Sequence, residues 1–111
     1  MNNLYKFRKY NKKQGKKNVK HPKLIVDEYK DEFGFMGLTS SKNKGKRHKN
    51  IILDDNPLII NGKRLKDKSY LRRKIEYDNK SNFGKVMNNY SLSKRDKDKI
   101  IKIVKNKKKK R

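Results

Sequence analysis

Residues 21–41 read HPKLIVDEYKDEFGFMGLTSS, and the fold turns on whether this stretch is a hairpin. Leu24, Ile25 and Val26 form a short apolar run rich in β-branched residues, the pattern of a strand covered on both faces. Lys30, Asp31 and Glu32 supply a polar turn, and residues 33–39, FGFMGLT, read as the returning strand. Gly34 and Gly37 weaken a flat sheet but suit the bends and bulges of a small barrel. The stretch is the least basic part of the chain. It opens on His21-Pro22 and closes on Thr39, Ser40 and Ser41, groups suited to holding or moving a proton.

Around this hairpin the chain is overwhelmingly basic, with 35 Lys and Arg against 11 Asp and Glu in 111 residues and a formal net charge of +24. A field of that size repels itself unless a polyanion neutralises it, so nucleic acid is the expected partner, RNA ahead of DNA. An anionic membrane surface ranks behind both, and no membrane partner is expected. The length allows one small domain with tails, because a second core would lack the apolar surface to offset chain entropy. Hydrophobic residues make up only 31% of the chain. They fall in runs (LIV, FGFMGL, IIL, LII) separated by charge, which argues for a core. No apolar run approaches the ~20 residues that span a bilayer, and the basic start lacks the hydrophobic stretch of a secretion signal. A cytoplasmic location is expected. Without cysteine there is no disulfide framework, thiolate nucleophile or thiolate zinc site, and two histidines make a poor metal set, so neither metal nor cofactor is expected.

The chain divides into a basic N-terminal arm (1–19), a domain (20–105) and a basic tail (106–111). Within the first 20 residues, eight Lys and Arg and no acid interleave with Tyr5, Phe7 and Tyr10. Those rings either stack on bases beside phosphate-bound cations or tuck onto the domain. Residues 40–50, SSKNKGKRHKN, read as an exposed basic loop, and residues 50–53 as a third short strand ended by the turn Asp54-Asp55-Asn56-Pro57. Asn61-Gly62, flanked by Leu58-Ile59-Ile60 and Lys63-Arg64-Leu65, is a type I′ hairpin signal. Residues 69–77 alternate as one strand, with Leu71, Ile75 and Tyr77 on one face and Arg72, Lys74 and Glu76 on the other. Arg73 breaks the pattern and must snorkel or meet a ligand. Residues 78–90 read as a polar connection anchored by Phe83. Ser93 and Asp96 form an S-x-x-D cap, Asp98 adds a second acid, and Ile100, Ile101, Ile103 and Val104 supply the stripe of a helix of about three turns.

The succession of a basic, glycine-bearing lead (12–20), His21-Pro22 entering Lys23-Leu24-Ile25-Val26, a short turn, a strand ending Gly37-Leu38-Thr39-Ser40, a basic loop and a further strand resembles the MazF/PemK-like toxins over residues 12–54. The resemblance implies a mostly β fold, a small SH3-like barrel with a short C-terminal α-helix and basic tails. It also implies the toxin half of a toxin–antitoxin pair carried on a mobile element, cutting RNA without a metal, with an acidic antitoxin protein and a homodimeric state as partners. In that family an arginine precedes the proline and works with a threonine or serine ending the next-but-one strand. Carried over by position, Thr39 matches, Ser40 matches the small hydroxyl neighbour, and His21 replaces the arginine.

Cleavage by 2′-hydroxyl attack needs a base, an acid for the leaving 5′-oxygen, and cations on the non-bridging oxygens. His21 fits one proton role, since an imidazole with a pKa of about 6.5 can also accept the proton that an arginine cannot. Thr39 positions the substrate, while Ser40, Lys42, Lys44, Lys46, Arg47, His48 and Arg73 are the expected substrate-binding groups, with His48 also a candidate second acid or base. The plainer readings stand beside these: His21 as a turn residue, Thr39 as a strand residue, His48 as a phosphate contact, and Asp27, Glu28, Asp31 and Glu32 as solubility charges on a hairpin. Two other functions fit the charge. One is a non-catalytic nucleic-acid-binding accessory protein of a phage or plasmid, and the other a ribosome-associated basic protein.

Overall fold

The hairpin expected between residues 21 and 41 is present. In the computed structural model, which describes residues 4–11, 22–39, 50–53, 70–87 and 90–108, β2 (Lys23–Glu28) and β3 (Glu32–Thr39) run antiparallel, with Lys23 opposite Gly37 and Glu28 opposite Phe33. Leu24, Ile25 and Val26 are sealed from solvent because β2 lies inside the sheet and both its faces are covered. Alternation along the strands separates the two faces. Leu24, Val26, Met36 and Leu38 join the main core, whereas Ile25, Phe33 and Phe35 meet Tyr10 and Phe83 in an aromatic cluster. Of the two glycines in β3, Gly34 marks a bulge, as expected, whereas Gly37 lies in regular register opposite Lys23. Ile25 pairs with Phe35 but Asp27 pairs with Gly34, so Val26 is an extra residue of β2 and the register shifts there.

Strand β1 (Phe7–Tyr10) pairs with β2 on one side and with β7 (Phe83–Val86) on the other. On the far side of the hairpin, β3 carries two short partners: β5 (Tyr70–Leu71), itself paired to β4 (Ile51–Ile52), and β6 (Glu76–Asn79). The order is β4-β5-β3-β2-β1-β7 with β6 beside β3, and every pairing is antiparallel. The described chain is therefore mostly β with one C-terminal helix, and among the described residues no pairing joins the two ends of the sheet. The sheet is nevertheless curled. Laid flat, the run β6-β3-β2-β1-β7 would hold its outer strands about 19 Å apart. A single 3₁₀ turn, Lys80–Asn82, connects them, and such a turn advances the chain only about 8 Å. The turn is tied to both neighbours: Lys80 N–H donates to the Asp31 carbonyl at 2.8 Å, and Asn11 N–H donates to the Asn82 carbonyl at 2.8 Å.

One segment decides between two open sequence readings, and two differ from theirs. The rings of Phe7 and Tyr10 are buried in the main core and the aromatic cluster, because β1 takes an interior place in the sheet. Tucking onto the domain wins over stacking on bases. Residues 69–77 are two strands, not one: Leu71 pairs with Leu38, Arg72 N–H donates to the Gly37 carbonyl at 2.9 Å, and the ladder resumes only at Glu76 opposite Phe35. Two extra residues are looped out, an even number, so Ile75 still reaches the main core as the alternation required. Arg73 and Lys74, in this loop, are exposed. Residues 78–90 hold the end of β6, the 3₁₀ turn and β7, with Phe83 the expected anchor at 8% exposure.

The helix, α1 (Lys94–Lys108), begins as its cap predicts, with Asp96 N–H donating to Ser93 Oγ at 3.2 Å and Lys97 N–H to the Ser93 carbonyl at 2.9 Å. Ile100 and Val104 enter the main core and Ile103 packs against it. The helix spans 15 residues, about four turns, and runs into the expected tail because no glycine or proline stops it. Among the described residues no helix is long and apolar enough to cross a membrane. The Asn61-Gly62 hairpin and the Asp54–Pro57 turn lie outside the described residues.

Candidate functional site

The hairpin end opposite its turn carries the geometry around the expected cleavage pair. Leu38 N–H donates to the Pro22 carbonyl at 3.2 Å, and Thr39 pairs with Tyr70 in the β3–β5 ladder. The hydrogen bond therefore joins the residue that follows His21 to the residue that precedes Thr39. His21, Ser40, Lys42, Lys44, Lys46, Arg47 and His48 lie outside the described residues, as does the side chain of Thr39. Arg73, the remaining expected contact, is exposed on the loop between β5 and β6.

One step further along the hairpin are two cations that the sequence reading did not single out. Lys23 is only 6% exposed although it is a lysine. Its Nζ lies 5.5 Å from the Tyr10 ring centroid and 5.9 Å from that of Phe35, so its stem is covered and its charge sits over two π faces. The Arg72 side chain comes to the same place from the end of β5. A Cβ built on Gly37 would stand 3.3 Å from Lys23 Nζ and 3.3 Å from Arg72 Cδ, so the missing side chain is what lets both cations lie there. Burial, and then the charge of Arg72, push the Lys23 ammonium below the usual lysine range, while Glu76 acts in the opposite direction. The only sequence signal for this pair is Gly37 itself, and it acquires meaning once the β2–β3 register sets it opposite Lys23.

The aromatic cluster beside them is lined by further charges. Arg8 lies over Phe33 with its guanidinium carbon 5.2 Å from the ring centroid, and Lys80 Nζ is 5.1 Å from the same centroid. The Tyr10 hydroxyl donates to the Asp78 carboxylate. Burial first, and then that hydrogen bond, raise the Tyr10 hydroxyl well above the usual phenol range. Two of the four hairpin acids are engaged: Tyr77 Oη donates to Asp27 at 2.8 Å, and Lys80 Nζ pairs with Glu28 at 2.7 Å, while Asp31 and Glu32 are exposed. Among the described residues no group of three or more His, Cys, Asp or Glu side chains could hold a metal ion. On α1 the side chains of Lys94, Arg95, Lys97, Lys102 and Lys105 are exposed, with Asp98 the one exposed acid between them. This is a solvated cationic face able to meet phosphates.

Comparison with protein-family models, with curated proteins and with solved structures returns no match to this chain.

Proposed function

We propose that this chain is an RNA-cleaving protein of the MazF/PemK type, an SH3-like barrel that works without a metal. The observation that carries the reading is the Leu38–Pro22 hydrogen bond. It joins the residue after His21 to the residue before Thr39, and on this reading the imidazole and the hydroxyl work together at that end of the hairpin. The curl forced by the 3₁₀ link between β6 and β7 supports the barrel. In the reaction, the ribose 2′-oxygen bonds to phosphorus and the P–O5′ bond breaks, leaving a 2′,3′-cyclic phosphate and a 5′-hydroxyl. His21 takes part in one proton transfer, off the 2′-oxygen or onto the 5′-oxygen, and His48 serves the other. Thr39 and Ser40 position the phosphodiester, and Lys42, Lys44, Lys46 and Arg47 offset the charge that develops on it. An acidic antitoxin and a homodimer belong to the same reading.

The charge of +24 favours a second reading, a nucleic-acid-binding accessory protein that holds its ligand without cutting it. Incubation of the pure protein with end-labelled RNA in EDTA separates the two. Cleavage leaving a cyclic phosphate, lost in both His21→Ala and Thr39→Ala, is the result expected of the first. RNA that stays intact while binding weakens steeply with salt refutes cleavage and leaves the second.

A further inference from the structure

The cleavage reading leaves Gly37, Lys23 and Arg72 without a task, although they adjoin the hairpin end where Leu38 N–H meets the Pro22 carbonyl. We infer that Lys23 and Arg72 form a seat over Gly37 for one phosphodiester group of an RNA strand. The inference rests on the nucleic-acid reading above and adds to it the point at which the backbone is gripped.

Two like charges held side by side raise each other's energy, and the fold keeps these two together by other means. Lys23 is anchored along the rings of Tyr10 and Phe35, and Arg72 by its N–H on the Gly37 carbonyl. Lys23 Nζ and Arg72 Nε stand 3.3 and 3.6 Å from the same point above Gly37, so the two nitrogens are at most about 7 Å apart, a span that the oxygens of one phosphate can bridge. A phosphate offers two non-bridging oxygens, which suit a guanidinium fork on one side and an ammonium on the other. Arg72 keeps more of its surface in solvent than Lys23, which is nearly covered. The incoming strand therefore meets Arg72 first and settles above Lys23. Glu76, exposed and acting electrostatically on Lys23, is an acid that a phosphate has to compete with. The chain's net charge of +24 draws in a polyanion in preference to an isolated carboxylate.

The test measures binding of a fluorescent oligouridylate with 2′-O-methyl riboses, which cannot be cut, across a salt series. Arg72→Gln and Lys23→Met remove one cation each, the methionine keeping the stem on its rings. Lys30→Gln makes the same charge change at the far, turn end of the hairpin and serves as the control. Loss of a real phosphate contact should weaken binding about tenfold or more and lower the log–log salt slope by about 0.7. The control should change affinity by less than about twofold, as expected for an uninvolved surface charge. Glu76→Gln should tighten binding, an effect that a purely structural role for these residues does not produce. If Lys23→Met fails to fold, Arg72→Gln decides alone. Equal effects of Arg72→Gln and Lys30→Gln overturn the seat, and so does failure of the wild type to bind the oligonucleotide. If the wild type leaves ordinary RNA intact while Arg72→Gln still loses affinity, the cleavage reading falls and the seat stands. Cleavage at an unchanged rate and KM in Arg72→Gln overturns the seat and leaves cleavage standing.

Discussion

Gly34→Ala is the substitution that tests the packing of the curled sheet most directly. The added Cβ would stand 2.6 Å from Tyr77 Cε2 and 2.8 Å from Asp27 Cβ, both inside the closest approach that carbon atoms tolerate. The ring cannot swing away freely, because Tyr77 Oη is bonded to Asp27 at 2.8 Å and the ring packs against Tyr29 with centroids 5.8 Å apart. Nor can Asp27 retreat, since it sits in the β2–β3 ladder opposite Gly34. Overpacking of this kind costs about 1–3 kcal/mol, and loss of the hydrogen bond to a half-buried carboxylate adds about 1.5 kcal/mol. Alanine restricts the unfolded chain more than glycine does and offsets about 0.4–1 kcal/mol. The net expectation is a loss of about 1.5–4 kcal/mol, a fall in Tm on the order of 10 °C for a domain of this size. Urea unfolding should show a lower midpoint with an unchanged m-value. In a Tyr77→Ala background the same substitution should cost at least about 1 kcal/mol less, because only the Asp27 contact remains. A Gly34→Ala protein within about 0.5 kcal/mol of wild type, inside the usual range for neutral changes, or strict additivity with Tyr77→Ala, would refute the close approach.

Two further outcomes are expected. Because the folded protein holds the Tyr10 hydroxyl above its ordinary pKa, the unfolded chain loses that proton first as pH rises through about 10. The contribution of Tyr10 is then present below that pH and fades above it. Tyr10→Phe should be less stable than wild type at neutral pH through the lost Asp78 bond, with a difference that shrinks in urea melts above pH ~10. A constant difference across the range would contradict the assignment. Ser93→Ala removes the acceptor for Asp96 N–H and should cost about 1 kcal/mol, seen as fraying of the first turn of α1 by amide exchange. Unchanged protection there would show that the cap contributes nothing.

What the sequence determined by itself is whatever depends on neighbours along the chain. The apolar runs at 24–26 and 33–38, with the polar turn between them, specify the central hairpin. Ser93 and Asp96 specify where the helix begins, and even the looped-out residues after Arg72 leave Leu71 and Ile75 on the face their spacing requires. Each is a local pattern, set by side-chain period or by a cap a few residues long. Only the tertiary structure decided that Phe7 and Tyr10 are core, because an interior place for β1 depends on pairing with β7, far away in the sequence, as well as with β2. It alone decided that residues 69–77 split, since β3 is long enough to take two partners on one edge. The same holds for the cation pair. In a chain with 35 Lys and Arg, Lys23 and Arg72 are indistinguishable from the rest. Their convergence over Gly37 comes from strand register and from the absence of a single side chain, and both act across space between residues far apart in the sequence.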